Sequence, residues 1–145
     1  MNVEGILRAK GAGVVSIRPD ATVGELISGL RREGIGAMVV SGDLRSVDGI
    51  VSERDVVHGL AAHGPAILGL PVREIMTRNV VTCGPTDTVK QLMEAMTRRR
   101  IRHLPVVSAE GKLSGIISIG DVVKNRLEEM ETETNVLREA YLARQ

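Results

Sequence analysis

Apolar residues recur at helical spacing in two places along the chain, first Val23, Leu26, Ile27 and Leu30, then Val89, Leu92, Met93 and Met96. Each row occupies one face of a 3.6-residue helix, which predicts two amphipathic helices with that face in a core. Both start at the same signal. Thr22-x-x-Glu25 and Thr88-x-x-Gln91 are capping boxes, in which the hydroxyl and the N3 side chain satisfy each other's free backbone N–H groups. Ahead of each helix stands a short β-branched stretch, Val14 to Ile17 or Val80 to Thr82, closed by a turn at Pro19 or Pro85. Behind each come two strands, Ile35 to Val40 with Val47 to Val51, and Ile101 to Val107 with Leu113 to Ile117. Polar turns at Ser41-Gly42-Asp43 and Glu110-Gly111-Lys112 join them, and a further helix begins at Ser52 or Ser118. The predicted order is β-α-β-β-α, twice.

The two halves are copies of one another. Displaced by 66 positions, residues 14–57 overlie residues 80–123 without a gap, and 15 of the 44 pairs are identical. The shared framework includes Pro19 with Pro85, Gly49-Ile50 with Gly115-Ile116, and Ser52-x-x-Asp55-Val56-Val57 with Ser118-x-x-Asp121-Val122-Val123. Fold and function must therefore be read as a pair. The expected units are residues 3–62, a first repeat; 63–79, a linker and lead-in containing Gly64-Pro65 and Pro71; 80–127, a second repeat; and 128–145, a helical extension. Val72-Arg73-Glu74-Ile75-Met76 resembles the earlier lead-in Val3-Glu4-Gly5-Ile6-Leu7.

Composition narrows the function. A unit of about 60 residues buries too little surface to be secure alone, so the two halves are expected to share one core. Apolar residues make up 43% of the chain but include no Phe or Trp and one Tyr, which makes the core aliphatic. The aromatic platforms that stack single-stranded nucleic acid are missing. With 19 basic and 18 acidic residues the net charge is +1, so no long-range field recruits a polyanion, and neither nucleic acid nor membrane is an expected partner. The basic run Arg98-Arg99-Arg100 reads as helix-end cations favoured by the dipole. The lone Cys83 permits no intramolecular disulfide and no CxxC motif, and reads as a buried small hydrophobe. No run approaches the ~18 apolar residues a spanning helix needs, and no leader pattern opens the chain, so a cytoplasmic protein is expected. His58 and His63 lack companions at metal spacing.

The cap after the proline turn, the strand Ile101-Arg102-His103-Leu104-Pro105-Val106-Val107, and the pair Gly49-to-Val57 and Gly115-to-Val123 together carry a resemblance to a known family. The chain resembles a tandem pair of CBS domains, the cystathionine-β-synthase-type repeat, joined as a stand-alone Bateman module, over roughly residues 3–127. The fold this resemblance implies is α/β, a tandem CBS pair of two β-α-β-β-α repeats packed with pseudo-twofold symmetry, plus a C-terminal helical extension.

Site expectations follow from the turns where the third strand of each repeat enters its second helix. A helix N-terminus offers unpaired N–H groups and a positive dipole end, both suited to phosphate. A carboxylate one turn inside accepts two hydrogen bonds from a ribose diol. The resemblance assigns Asp55 and Asp121 to ribose, and Ser52 and Ser118 to phosphate or the sugar-phosphate junction. The competing reading is that each Ser-x-x-Asp is only a capping box. Arg102 is a candidate phosphate partner and His103 a phosphate donor or ribose neighbour, on a strand that continues to Pro105 and borders the same cleft. The copies differ here. Gly36-Ala37 stand where the second repeat has Arg102-His103, whereas Arg54 faces Gly120, so the two sites should differ in ligand or affinity. The family layout offers Val15, Val81, Ile35 and Ile101 as aliphatic walls for adenine, and each also suits plain core. Lys10 is a further candidate for phosphate.

The expected ligand is AMP, with ADP, ATP or the AMP half of NAD(H) sharing the same diol and phosphate, and S-adenosylmethionine ranked lower because a sulfonium gains nothing from Arg102. No nucleophile, base and orienting group converge, so no catalysis is expected. Beyond Asp121, Val123, Leu127, Met130, Thr134, Leu137 and Tyr141 alternate spacings of four and three, a heptad-like seam on one long helix that either folds back on its own core or, as its run past the repeat suggests, joins two copies in a homodimer. The rival reading is a ligand-free interaction scaffold serving an unidentified regulated protein.

Overall fold

The computed structural model describes residues 1–11 and 13–144. In the first repeat, strand β1 (Ser16–Ile17) leads into helix α2 (Val23–Glu33), strands β2 (Ala37–Val40) and β3 (Gly49–Ser52), and helix α3 (Glu53–His63). In the second, helix α4 (Val89–Arg99) is followed by β4 (His103–Val107), β5 (Leu113–Ser118) and the long helix α5 (Ile119–Ala143). Helix α1 (Val3–Lys10) precedes both, and two 3₁₀ turns, Gly64–Gly69 and Val72–Glu74, join the repeats. All four repeat helices begin at the predicted residues. Thr22, Ser52, Thr88 and Ser118 each close a complete capping box.

In the first repeat β1 pairs parallel with β2, which pairs antiparallel with β3. The second repeat keeps the antiparallel pair β4–β5 but loses the predicted strand at Val80 to Thr82, of which one bridge between Cys83 and Val106 remains. The cause is Pro105. It stands at the register of Val39, the partner of Ser16, and a proline has no N–H to offer the neighbouring carbonyl of Val81. The strands at Ile35 and Ile101 also start two residues later than predicted, at Ala37 and His103.

Two aliphatic cores form instead of the single shared core expected from size, because each sheet and its helices close over their own apolar face with a lead-in from across the sequence boundary. Helix α1 contributes Val3 and Ile6 to the core of the second repeat, with Leu92, Leu104, Val106 and Ile117. The matching lead-in contributes Val72 to the core of the first repeat, with Leu26, Val40 and Val51. Backbone bonds repeat the exchange. Val3 N–H donates to Asp87 O at 2.9 Å and Glu4 N–H to Pro85 O at 3.0 Å, while Val72 N–H donates to Ala21 O at 2.7 Å and Arg73 N–H to Pro19 O at 3.0 Å. Gly115 lies under Leu7 as Gly49 lies under Met76, too close for a Cβ at either position without displacement. The pseudo-twofold relation is therefore built from swapped lead-ins. Each repeat is completed by the segment that precedes the other.

Candidate nucleotide sites at the helix starts

Each Ser-x-x-Asp turn is a capping box that leaves chemistry unspent. Asp55 Oδ2 accepts from Ser52 N–H at 2.8 Å and from Ser52 Oγ at 3.2 Å; Asp121 Oδ2 accepts from Ser118 N–H at 2.8 Å and from Ser118 Oγ at 2.9 Å. Among the described residues, Oδ1 of both carboxylates has no hydrogen-bond donor. The competing reading of these turns as caps is thus correct as structure, and the cap occupies one carboxylate oxygen while the other stays available.

The second site carries an added cation. Lys10 Nζ lies 2.8 Å from Asp121 Oδ2 and 2.8 Å from the Ile116 carbonyl oxygen. Lys10 ends α1 at Gly11, whose φ of 90° favours glycine. The swapped lead-in thereby delivers a lysine to the far repeat's aspartate. Beside it a groove of about 330 Å³ is lined by Leu7, Lys10, Gly11, Gly13, Gly115 and Ile116. Burial alone would raise the Asp121 carboxyl, but the Lys10 ammonium and the Ser118 donors outweigh it and hold the group below its ordinary range. Asp55 has no such partner among the described residues.

His103 opens β4 directly opposite Ser118 in the sheet register, which puts its ring against the second site. Burial, reinforced by the Lys10 and Arg102 cations, pushes its pKa down against the pull of Asp121 and Glu53. A Cβ at Gly36 would sit in ordinary contact, 3.8 Å from both the His103 ring and the Glu53 carboxylate, so Gly36 lies between these two groups at the seam between the repeats. The sequence reading passed over Glu53. Its signal was its pairing with Ile119, a charge with no counterpart in the other repeat.

The remaining candidates fall on the walls or the rim. Val15 and Ile35 are half-buried against the first core, and Val81 and Ile101 against the second. Pro105 is buried within β4, while Arg54 and Arg102 are exposed and without an ion-pair partner among the described residues. Lys10, His103, Ser118 and Asp121 gather into one cluster. The first site holds Ser52 and Asp55 with Arg54 on the opening turn of α3. Cys83 is buried, and desolvation with the nearby Asp87 pushes its thiol up to about 12, which leaves no thiolate at neutral pH. No group of metal-ligating side chains forms among the described residues, and none of the described helices is long and apolar enough to cross a membrane.

The His103 environment has a measurable consequence. The folded state disfavours the protonated ring, whereas the unfolded chain takes up a proton near pH 6.5. Its contribution is therefore present above that pH and lost as pH falls through it toward the folded pKa. Urea denaturation at pH 7.5 and 5.5 should show a greater loss for the wild type than for His103→Gln. Equal losses would mean that the ring is solvated.

The CBS domain model matches residues 11–62 and 72–128, and the chain belongs to this family. A CBS-domain containing protein, ATU1752 of Agrobacterium tumefaciens, superposes with a TM-score of 0.83 at 47% identity, covering 87% of this chain and 99% of that one. The CBS domain-containing protein CBSX3, mitochondrial, of Arabidopsis thaliana is 34% identical over 127 residues. That match takes in 85% of this chain and 61% of that protein, so the chain spans well under the full length of this relative. Two solved structures at 23% and 22% identity share the fold, with TM-scores of 0.74 and 0.72, covering 89% and 86% of this chain and 98% of each of theirs. Their crystals hold adenosine compounds: AMP in CBSX2, and 5′-methylthioadenosine with S-adenosylmethionine in protein MJ0100.

Proposed function

We propose that this CBS pair is a regulatory module that binds an adenine nucleotide, AMP first, at its two helix-start sites and signals occupancy by a change of conformation. The observation that carries the reading is the free carboxylate oxygen at each capped helix N-terminus, with Lys10 beside the second and Arg54 on the opening turn of the first. A diol can bond the aspartate while phosphate meets the N–H groups of the helix start and Lys10, His103 or Arg102. ADP, ATP and the AMP half of NAD(H) present the same two handles. S-adenosylmethionine presents a cation where this protein has cations, and ranks below them.

The Lys10 to Asp121 contact supplies a switch. A phosphate at the helix start competes with Asp121 Oδ2 for Lys10, and because Lys10 ends α1 the exchange moves the lead-in that completes the second core. The module regulates and does not catalyse. It acts as a homodimer in a reducing aqueous compartment, the cytoplasm in the first instance, on a regulated partner protein.

Calorimetric titration of ligand-stripped protein with AMP tests the reading. Two unequal binding events are expected, and Arg102→Ala should weaken one by about tenfold, the worth of a single charge-assisted phosphate contact. Equal weakening of both events would misplace the phosphate. An absence of heat and of any copurified nucleotide would favour the scaffold.

A further inference from the structure

Helix α5 runs on beyond the second repeat, met at the start of that run by the Met1 amino group 3.5 Å from Glu129 Oε1 and exposed along the rest. Every residue from Met130 to Arg144 is exposed, yet Leu127, Met130, Leu137 and Tyr141 are 54, 48, 71 and 65% exposed along one face. A lone helical segment of this length is marginal in water, so a partner is needed to cover the row. The row is also continuous with an apolar groove of about 200 Å³ between α4 and α5, where Val123 and Leu127 meet Met93 and Met96. One partner closes both.

The charges beside the row say which partner. Leu127, Thr134 and Tyr141 take the a positions of a heptad and Val123, Met130 and Leu137 the d positions, which puts Arg126 and Glu133 at g and Glu131 and Arg138 at e. In a parallel, in-register pair each g residue faces the e residue five places on in the other chain. Arg126 then meets Glu131 and Glu133 meets Arg138, each twice by symmetry, and no like charges are opposed. An antiparallel pair does worse. The register that uses the whole row sets Glu131 against Glu131, Glu133 against Glu133 and Lys124 against Arg138; the register that pairs Glu131 with Arg138 leaves Leu127 and Val123 without apolar partners. The first repeat has no equivalent tail, since α3 stops at His63 before Gly64, so each chain contributes one such helix.

We infer that residues 123–141 of α5 form a parallel, in-register two-stranded coiled coil with a second copy of this chain, its orientation set by the Arg126–Glu131 and Glu133–Arg138 pairs. This interface is independent of nucleotide binding.

The full-length chain with Thr134→Cys, which the pairing places against its own copy on the twofold axis, should convert to a covalent dimer under mild oxidation. Glu139→Cys, on the outward face, should not, and the buried Cys83 does not compete. In light scattering, Arg138→Glu should raise the dimer dissociation constant by about tenfold through two reversed ion pairs, and adding Glu133→Arg in the same chain should restore it. Rescue by Glu131→Arg instead would make the pair antiparallel and overturn the proposal. A wild-type chain that scatters as a monomer, or a Thr134→Cys protein that stays uncrosslinked while circular dichroism shows it folded, would overturn it as well.

Discussion

Ligand-stripped protein should melt roughly 5 to 10 °C higher in AMP than without it. A ligand that binds only the folded state adds RT ln(1 + [L]/Kd), about 2.7 kcal/mol at 100-fold excess over Kd, and for a chain of this size that energy corresponds to such a shift. Adenosine should give less, because the helix-start phosphate contacts are lost, and inorganic phosphate little. Asp55→Ala and Asp121→Ala should each remove part of the shift, and the double variant nearly all of it. Both aspartates also close capping boxes, so each substitution lowers the unliganded melting point as well, by about 0.5 to 2 kcal/mol of stability. The ligand-dependent difference separates binding from capping. If AMP, ADP, ATP and NAD(H) all leave the wild-type melting point unmoved, the sensor reading fails and the interaction scaffold replaces it.

Ile6→Ala should cost about 2 to 5 kcal/mol, a large fraction of the ~5 to 15 kcal/mol that a domain has in total. Ile6 is 4% exposed and sits among Leu92, Leu104 and Ile117, where little can collapse into the space it leaves. The location of the damage is the sharper result. Although Ile6 precedes the first repeat, amide exchange should speed up at Leu104 and Val106 in β4 more than at Val39 and Val40 in β2. The reverse pattern, or equal loss in both sheets, would mean that the lead-in does not complete the second core. Val72→Ala should show the mirror image, since Val72 is fully buried in the first core.

Local signals were enough for the repeat and its elements. The Thr22, Ser52, Thr88 and Ser118 caps, the aliphatic rows of α2 and α4 and the unbroken run of α5 all depend on residues within a turn or two of each other, and such interactions are written in consecutive positions. The site aspartates were legible for the same reason, because a motif of four residues recurs at a fixed displacement. The strand at Val80 to Thr82 was not, because its absence depends on Pro105 in a neighbouring strand more than twenty positions away.

The sequence by itself therefore determined the duplication, the order of elements and the two helix-start carboxylates. The tertiary structure alone decided which lead-in completes which core, that Lys10 reaches Asp121, and that Glu53 and His103 flank Gly36 across the seam. Val3 to Leu7 and Val72 to Met76 carry the same apolar pattern, so either could have packed on the repeat that follows it. Burial is blind to chain order and rewards whichever face fits. Here the fit is reciprocal: each lead-in crosses to the other repeat, and the crossing brings a lysine to a carboxylate 111 positions away.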